Sequence, residues 1–186
     1  MRLFVAVDPS DAVREALADA IESGRGVAPD AKWVRPTAIH LTLAFLGNVD
    51  EALAPRIAAA LLPVAARHPP IDLAARGIGT FGGGRRPRVL WAGLEGQVAA
   101  LQALQADVEA ALVPLGYRPE ERAFKPHLTL ARAREGRGDP ALGDARDALG
   151  ERDLGDFTCG ELILYQSLLS PHGAKYVALV RHPLGA

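Results

Sequence analysis

Two hydrophobic periods alternate along this chain. Arg2–Val7 is an apolar run of strand length, closed by Asp8-Pro9. The period then lengthens. Val13, Leu17 and Ile21 recur every four residues, which predicts a helix capped by Ser10 or Asp8 and ended at Gly24 and Gly26. Lys32–Arg35 reads as a short extended piece before Pro36. Ile39–Leu46 reads as a strand closed by Gly47-Asn48. An alanine-rich helix is expected from Asp50 to about Arg67, with Pro55 in its first turn and Pro69-Pro70 beyond its end. Ile71–Ile78 and Arg88–Leu94 are strands, and Thr80–Pro87 between them is a basic, glycine-rich loop.

The second half repeats the alternation. Val98, Leu101, Leu104, Val108 and Leu112 mark one face of a helix from Gln97 to about Val113. His127–Arg132 is a strand, and Pro140–Leu149 a short helix. Asp156–Gln166 and Ala174–His182 are the last strands, joined by a hairpin loop at Ser170-Pro171-His172-Gly173. Helices alternate with paired strands whose connections are tight. That pattern favours an α+β fold with antiparallel sheets over a doubly wound parallel one.

Composition narrows the classes. The chain has 186 residues, 49% apolar and 23% charged, as a globular protein does. A net charge of −1 gives no global attraction to long nucleic acid, so any RNA contact must be local. No signal peptide or membrane span is read, and the single cysteine, Cys159, reads as a small buried hydrophobe. The expected compartment is the cytoplasm. Neither a dinucleotide fingerprint nor a P-loop occurs, so no nucleotide cofactor is expected.

The most informative feature is a repeated pentapeptide. His-Leu-Thr-Leu-Ala occurs at His40–Ala44 and again at His127–Ala131. In a strand, residues i and i+2 share a face. His40 and Thr42 therefore face one way, as do His127 and Thr129, with leucines behind them. The repetition suggests two equivalent halves with one site between them.

Several chemistries compete for such a pair. A metal site lacks a visible ligand set, because no Asp, Glu or Cys lies in or next to either motif. A serine triad lacks its Gly-x-Ser-x-Gly. Acid–base chemistry on a phosphate fits better. Hydrolysing a cyclic phosphate requires one group to take a proton from water and another to give one to the departing ribose oxygen. Imidazole titrates near neutrality and can do either. The threonine hydroxyls can donate to non-bridging oxygens as charge grows there. Arg132, five residues after His127, can add a fixed positive charge.

The motifs resemble those of the two-histidine phosphoesterases, in particular the RNA 2′,3′-cyclic phosphodiesterases once described as 2′-5′ RNA ligases. The likeness runs from Arg2–Val7 through Lys32-Trp33-Val34, His40–Gly47, Arg88–Trp91 and Phe124–Arg132 to Ser167-Leu168-Leu169 and Gly173-Ala174-x-Tyr176. It implies one two-lobed domain over residues 1–186, a duplicated fold of two pseudo-symmetric halves that each contribute one His-x-Thr strand, with two antiparallel sheets, flanking helices and a central cleft. It also implies catalysis without metal or cofactor. His40 would be proton donor to the leaving oxygen and His127 proton acceptor from water, a polarity that residue chemistry leaves open. The implied product carries a terminal 2′-phosphate, with 2′-5′ ligation as a minor reverse reaction.

Around the pair, Trp91 and Phe81 are the aromatics expected to stack a base. Arg88, with Arg85 and Arg86, is expected to contact the RNA strand. His68, His172 and His182 lack a following threonine and read as surface residues, with His172 near the cleft. The expected partner is RNA with a cyclic-phosphate end or a small nucleotide, with no membrane, no protein partner and a monomeric state. A small cyclic nucleotide, a 2′-5′ oligonucleotide, an ADP-ribose cyclic phosphate or a non-catalytic RNA-binding role are the alternatives.

Overall fold

A computed structural model describes residues 1–170 and 173–186, so His172 lies outside the described residues. Among the described residues, nine strands form two antiparallel sheets. The strands are β1 (Arg2–Val7), β2 (Lys32–Trp33), β3 (Leu41–Asn48), β4 (Ile71–Phe81), β5 (Val89–Gly96), β6 (Leu128–Arg132), β7 (Asp153–Cys159), β8 (Glu161–Ser170) and β9 (Gly173–Pro183). The helices are α1 (Asp11–Val27), α2 (Ala54–Arg67), α3 (Val98–Leu112) and α4 (Pro140–Leu149). One sheet runs β3-β1-β8-β9 and carries α2 and α3; the other runs β2-β6-β5-β4-β7 and carries α1 and α4. The α+β class and antiparallel pairing follow the sequence expectation.

Neither sheet is built from one half of the chain. β1 and β8 pair directly, although more than 150 residues separate Leu3 from Gln166. Helix α1 leaves β1 and packs on the opposite sheet, against α4 and β7. β1 shows why the sheets face each other across a cleft. Leu3, Val5 and Val7 are fully buried in the main core. Phe4 and Ala6 point to the other face and join Ile163, Tyr165, Tyr176 and Ala178 in a separate cluster.

Three sequence expectations change. Helix α1 runs through Gly24 to Val27. Gly24 is there for packing: a side-chain carbon would overlap the Trp33 ring. Ser10 is the cap, accepting from the Val13 amide at 3.3 Å. The segment Asp156–Gln166 is two strands, parted at Gly160, one in each sheet. Gly160-Glu161 interrupts the pattern at the break, but a glycine within a strand pattern also fits a bulge, so the pattern does not by itself reveal a change of sheet. Finally, Val98–Leu115 is long and apolar enough for a membrane span by length and composition alone, contrary to the sequence reading. In this fold Leu101, Leu104, Val108 and Leu112 of that segment are buried in the core.

Two other readings also need revision. His182 is buried, and its Nε2 donates to the Ala58 carbonyl at 2.9 Å. His68 is half-buried against Asp107, at 2.8 Å. Cys159 is buried as expected, and burial pushes its thiol up to about 12.

Candidate active site

The two pentapeptides have the same irregular backbone. Each histidine stands just before its strand, at the entry to β3 or β6. Along β3, Thr42 pairs with Ala6 and Ala44 with Val5, so Leu43 is an extra residue. Along β6, Thr129 pairs with Trp91 and Ala131 with Leu90, so Leu130 is the extra residue. Such a bulge shifts the face of everything after it by one position. Residues five places after each histidine therefore return to the cleft: Phe45 in one copy and Arg132 in the other. The carbonyls of both extra residues find donors outside their own ladder. Gln105 Nε2 reaches Leu43 O at 3.3 Å, and the Val34 amide reaches Leu130 O at 2.8 Å.

Both imidazoles are tethered alike. Nδ1 of His40 lies 2.9 Å from the Ala38 carbonyl, and Nδ1 of His127 lies 2.7 Å from the Lys125 carbonyl. A carbonyl only accepts, so Nδ1 carries the proton and Nε2 is left for chemistry. Aromatic rings hold each imidazole. Phe4 lies 4.6 Å from the His40 centroid, and Tyr176 meets it edge-on at 5.0 Å. Phe81 meets His127 edge-on at 4.8 Å, with Trp91 at 6.4 Å.

The tethered rings share a cleft of about 430 Å³, the size of a small-molecule site. His40, Thr42, His127, Thr129 and Arg132 all line it. So do Arg2, Phe45, Ser167 and Tyr176, which the sequence reading gave no role. The spacing held a signal for Phe45, because it follows His40 by five residues as Arg132 follows His127. Phe45 is 45% exposed, with the Arg2 guanidinium 5.0 Å above its ring.

Phe81, Trp91 and Arg88 do not line this cleft. Trp91 is folded down over Gly79, where any side chain would collide with the indole, and its Nε1 is buried. Arg88 is exposed beside the hairpin, and its amide donates to the Phe81 carbonyl at 2.8 Å.

Burial holds both imidazoles below the ordinary 6.5. The carbonyl tethers oppose this in both rings. The Arg132 charge pushes both lower, so its field reaches each histidine. Among the described residues, a carboxylate, that of Asp8, acts on His40 and none acts on His127. Among the described residues, no three side chains of His, Cys, Asp or Glu come together as a metal-ligand set.

Residues 4–169 match the model of the 2′-5′ RNA ligase superfamily. The chain belongs to that superfamily. An Archaeoglobus fulgidus RNA 2′,3′-cyclic phosphodiesterase is 35% identical over 176 residues, 95% of this chain and 96% of that protein. One from Aeropyrum pernix is 35% identical over 148 residues, 80% and 83% of the two chains. The fold also matches solved structures. A Thermus thermophilus protein superposes with a TM-score of 0.83 at 30% identity, covering 100% of this chain and 98% of its own. Escherichia coli LigT, solved with 3′-AMP, superposes at 0.77 with 26% identity over the same shares.

Proposed function

We propose that this protein hydrolyses the 2′,3′-cyclic phosphate at an RNA end to a 2′-phosphate, by acid–base catalysis between His40 and His127 in one domain. The observation that carries this reading is the pair of equally tethered imidazoles in one cleft with two threonines and Arg132. The relatives named as RNA 2′,3′-cyclic phosphodiesterases support the substrate class.

In this reading Nε2 of His127 takes a proton from water as its oxygen bonds to phosphorus. The bond from phosphorus to the 3′-oxygen breaks, and His40 Nε2 gives that oxygen its proton. The 2′-oxygen keeps the phosphate. Thr42, Thr129 and Arg132 hold the non-bridging oxygens, where charge accumulates. Phe81 and Trp91 act by fixing the His127 ring, and Phe45 is the platform that meets the base. Arg88 meets the strand beyond the terminal nucleotide. Ligation through a 2′-5′ bond is the reverse reaction of the same centre, in which a ribose hydroxyl replaces water.

An oligonucleotide ending in a cyclic phosphate tests this directly. Hydrolysis is expected to proceed in excess EDTA, and phosphorus NMR is expected to show only a 2′-phosphate. Loss of activity in EDTA that a divalent ion restores would defeat the two-imidazole mechanism. A 3′-phosphate, or a mixture, would refute the polarity while leaving hydrolysis standing.

The pH profile follows from the lowered imidazoles. For kcat/KM the free enzyme must hold His127 neutral and His40 protonated. Because His40 is held below 6.5, the alkaline fall of kcat/KM is expected to begin below pH 6.5. The acid fall, set by His127, also lies below that value. A bound phosphate anion favours the charged imidazole, so the kcat profile is expected at higher pH than that of kcat/KM. A kcat/KM that keeps rising through pH 8 would contradict the assignment.

A further inference from the structure

Aromatic rings hold both histidines, Phe4, Tyr165 and Tyr176 at His40 and Phe81 and Trp91 at His127, and beyond the rings the surroundings diverge. Phe4 lies beneath His40 as Trp91 lies beside His127. Four residues beyond Phe4 the chain carries Asp8, and four beyond Trp91 it carries Glu95. Glu95 faces Arg76, 3.5 Å away on the surface. Asp8 instead lines one hollow together with His40. Its Oδ2 accepts from the Tyr165 hydroxyl at 2.7 Å and lies 3.4 Å from Arg14 and 3.9 Å from Arg181. Its Oδ1 is buried with no hydrogen-bond donor among the described residues.

Arg14 carries this contact to the histidine loop. Its Nη1 donates to the Pro36 carbonyl at 2.9 Å and to the Ile39 carbonyl at 2.6 Å. Between those residues lies Ala38, whose carbonyl receives the His40 Nδ1 proton. Asp8, Arg14, Tyr165 and Arg181 line a second hollow of about 380 Å³, which meets the first at His40 and Tyr176.

We propose that Asp8 is a positioning residue for His40, holding the loop that tethers the ring through Arg14 and stabilising the ring as a cation, so that His40 rather than His127 is the acid. The proposal rests on the acid–base reading above. The groups facing His40 are Asp8 just beyond β1, Arg14 from α1, Arg132 from β6, Tyr165 from β8, and Tyr176 and Arg181 from β9. Arg181 is itself held by Glu161 at 2.9 Å. Of those that act on the ring by charge, Asp8 favours the cation, and Arg14 and Arg132 oppose it. No carboxylate acts on His127 in the same way.

The test uses Asp8→Asn, which preserves shape and removes charge. Imidazole NMR titration is expected to show the His40 midpoint falling while that of His127 stays. Hydrolysis of the cyclic-phosphate oligonucleotide at neutral pH is expected to drop roughly tenfold in kcat/KM, a small part of what a positioned acid supplies. An aryl phosphodiester, whose phenolate leaves without a proton, is expected to be cleaved as by the parent. Arg14→Gln is the control of opposite sign, because losing that cation is expected to raise the His40 midpoint. A merely structural role predicts equal losses on both substrates and no opposed midpoint shifts, and either result would overturn the proposal. Should Asp8→Asn fail to fold, an unmoved His40 midpoint in Arg14→Gln would overturn it alone. Should the protein leave cyclic phosphates untouched, the function fails while the titration still decides whether Asp8 is coupled to His40.

Discussion

Replacing His40 or His127 by alanine is expected to lower turnover of a cyclic-phosphate-ended oligonucleotide by roughly 10²–10⁴ each, the contribution of a positioned acid or base. The two losses differ in kind. His40 protonates the departing ribose oxygen, an alkoxide that leaves poorly on its own. His127 activates water, which every substrate needs. An aryl phosphodiester should therefore restore most of the activity of His40→Ala and little of that of His127→Ala. Both variants should remain folded. Each ring is tethered only to a carbonyl two residues back and packs at a cleft edge, outside the main core of Leu3, Val5 and Val7. Circular dichroism and steady-state turnover on both substrates check this. Near-parent turnover by either variant would sink the paired mechanism. Equal rescue of both by the aryl ester would sink the assigned polarity.

Arg132→Ala is expected to cost roughly 10²–10³ in turnover, the usual loss when a donor aimed at developing phosphoryl or oxyanion charge is removed. Arg132→Lys should recover only part, because an ammonium returns the charge without the planar two-pronged fork. The substitution has a second signature. The Arg132 charge lowers both imidazoles, so its removal should move the His40 and His127 midpoints upward together. That separates it from Asp8→Asn, which moves His40 alone and downward. Turnover within tenfold of the parent in Arg132→Ala, or unmoved midpoints, would show that the guanidinium points away from the phosphate.

Much of the site was legible because the same five residues occur twice. Two copies of His-x-Thr identify the four side chains that the fold brings to one cleft; Arg132 was read only as a charge at a strand end, and the bulge at Leu130 is what returns it to that cleft. Phe45 was missed for a physical reason. Simple alternation puts a residue three places after Thr42 on the opposite face, and only the bulge at Leu43 returns it. Phe81 and Trp91 were read as base-stacking because aromatics beside a basic loop are free to do so. The structure instead puts them against His127, since the glycine opposite Trp91 leaves room for the indole to lie flat. Tyr176 and Phe4 gave no signal of their own, because a ring that holds a histidine looks in sequence like any core aromatic.

Local pattern determined which segments are strands or helices, since periods of two and of nearly four residues report directly on which face is buried. It determined the antiparallel α+β class and the two motifs whose chemistry suits a phosphate. Tertiary structure decided what those segments meet. It set β1 beside β8, sent α1 to the opposite sheet, and divided Asp156–Gln166 between two sheets at Gly160. It also made the two histidines unequal, giving one a carboxylate and the other none. Burial and hydrogen bonding within a segment depend on near neighbours. Which charge lies beside which ring depends on contacts between residues far apart in the chain, and no local period encodes those.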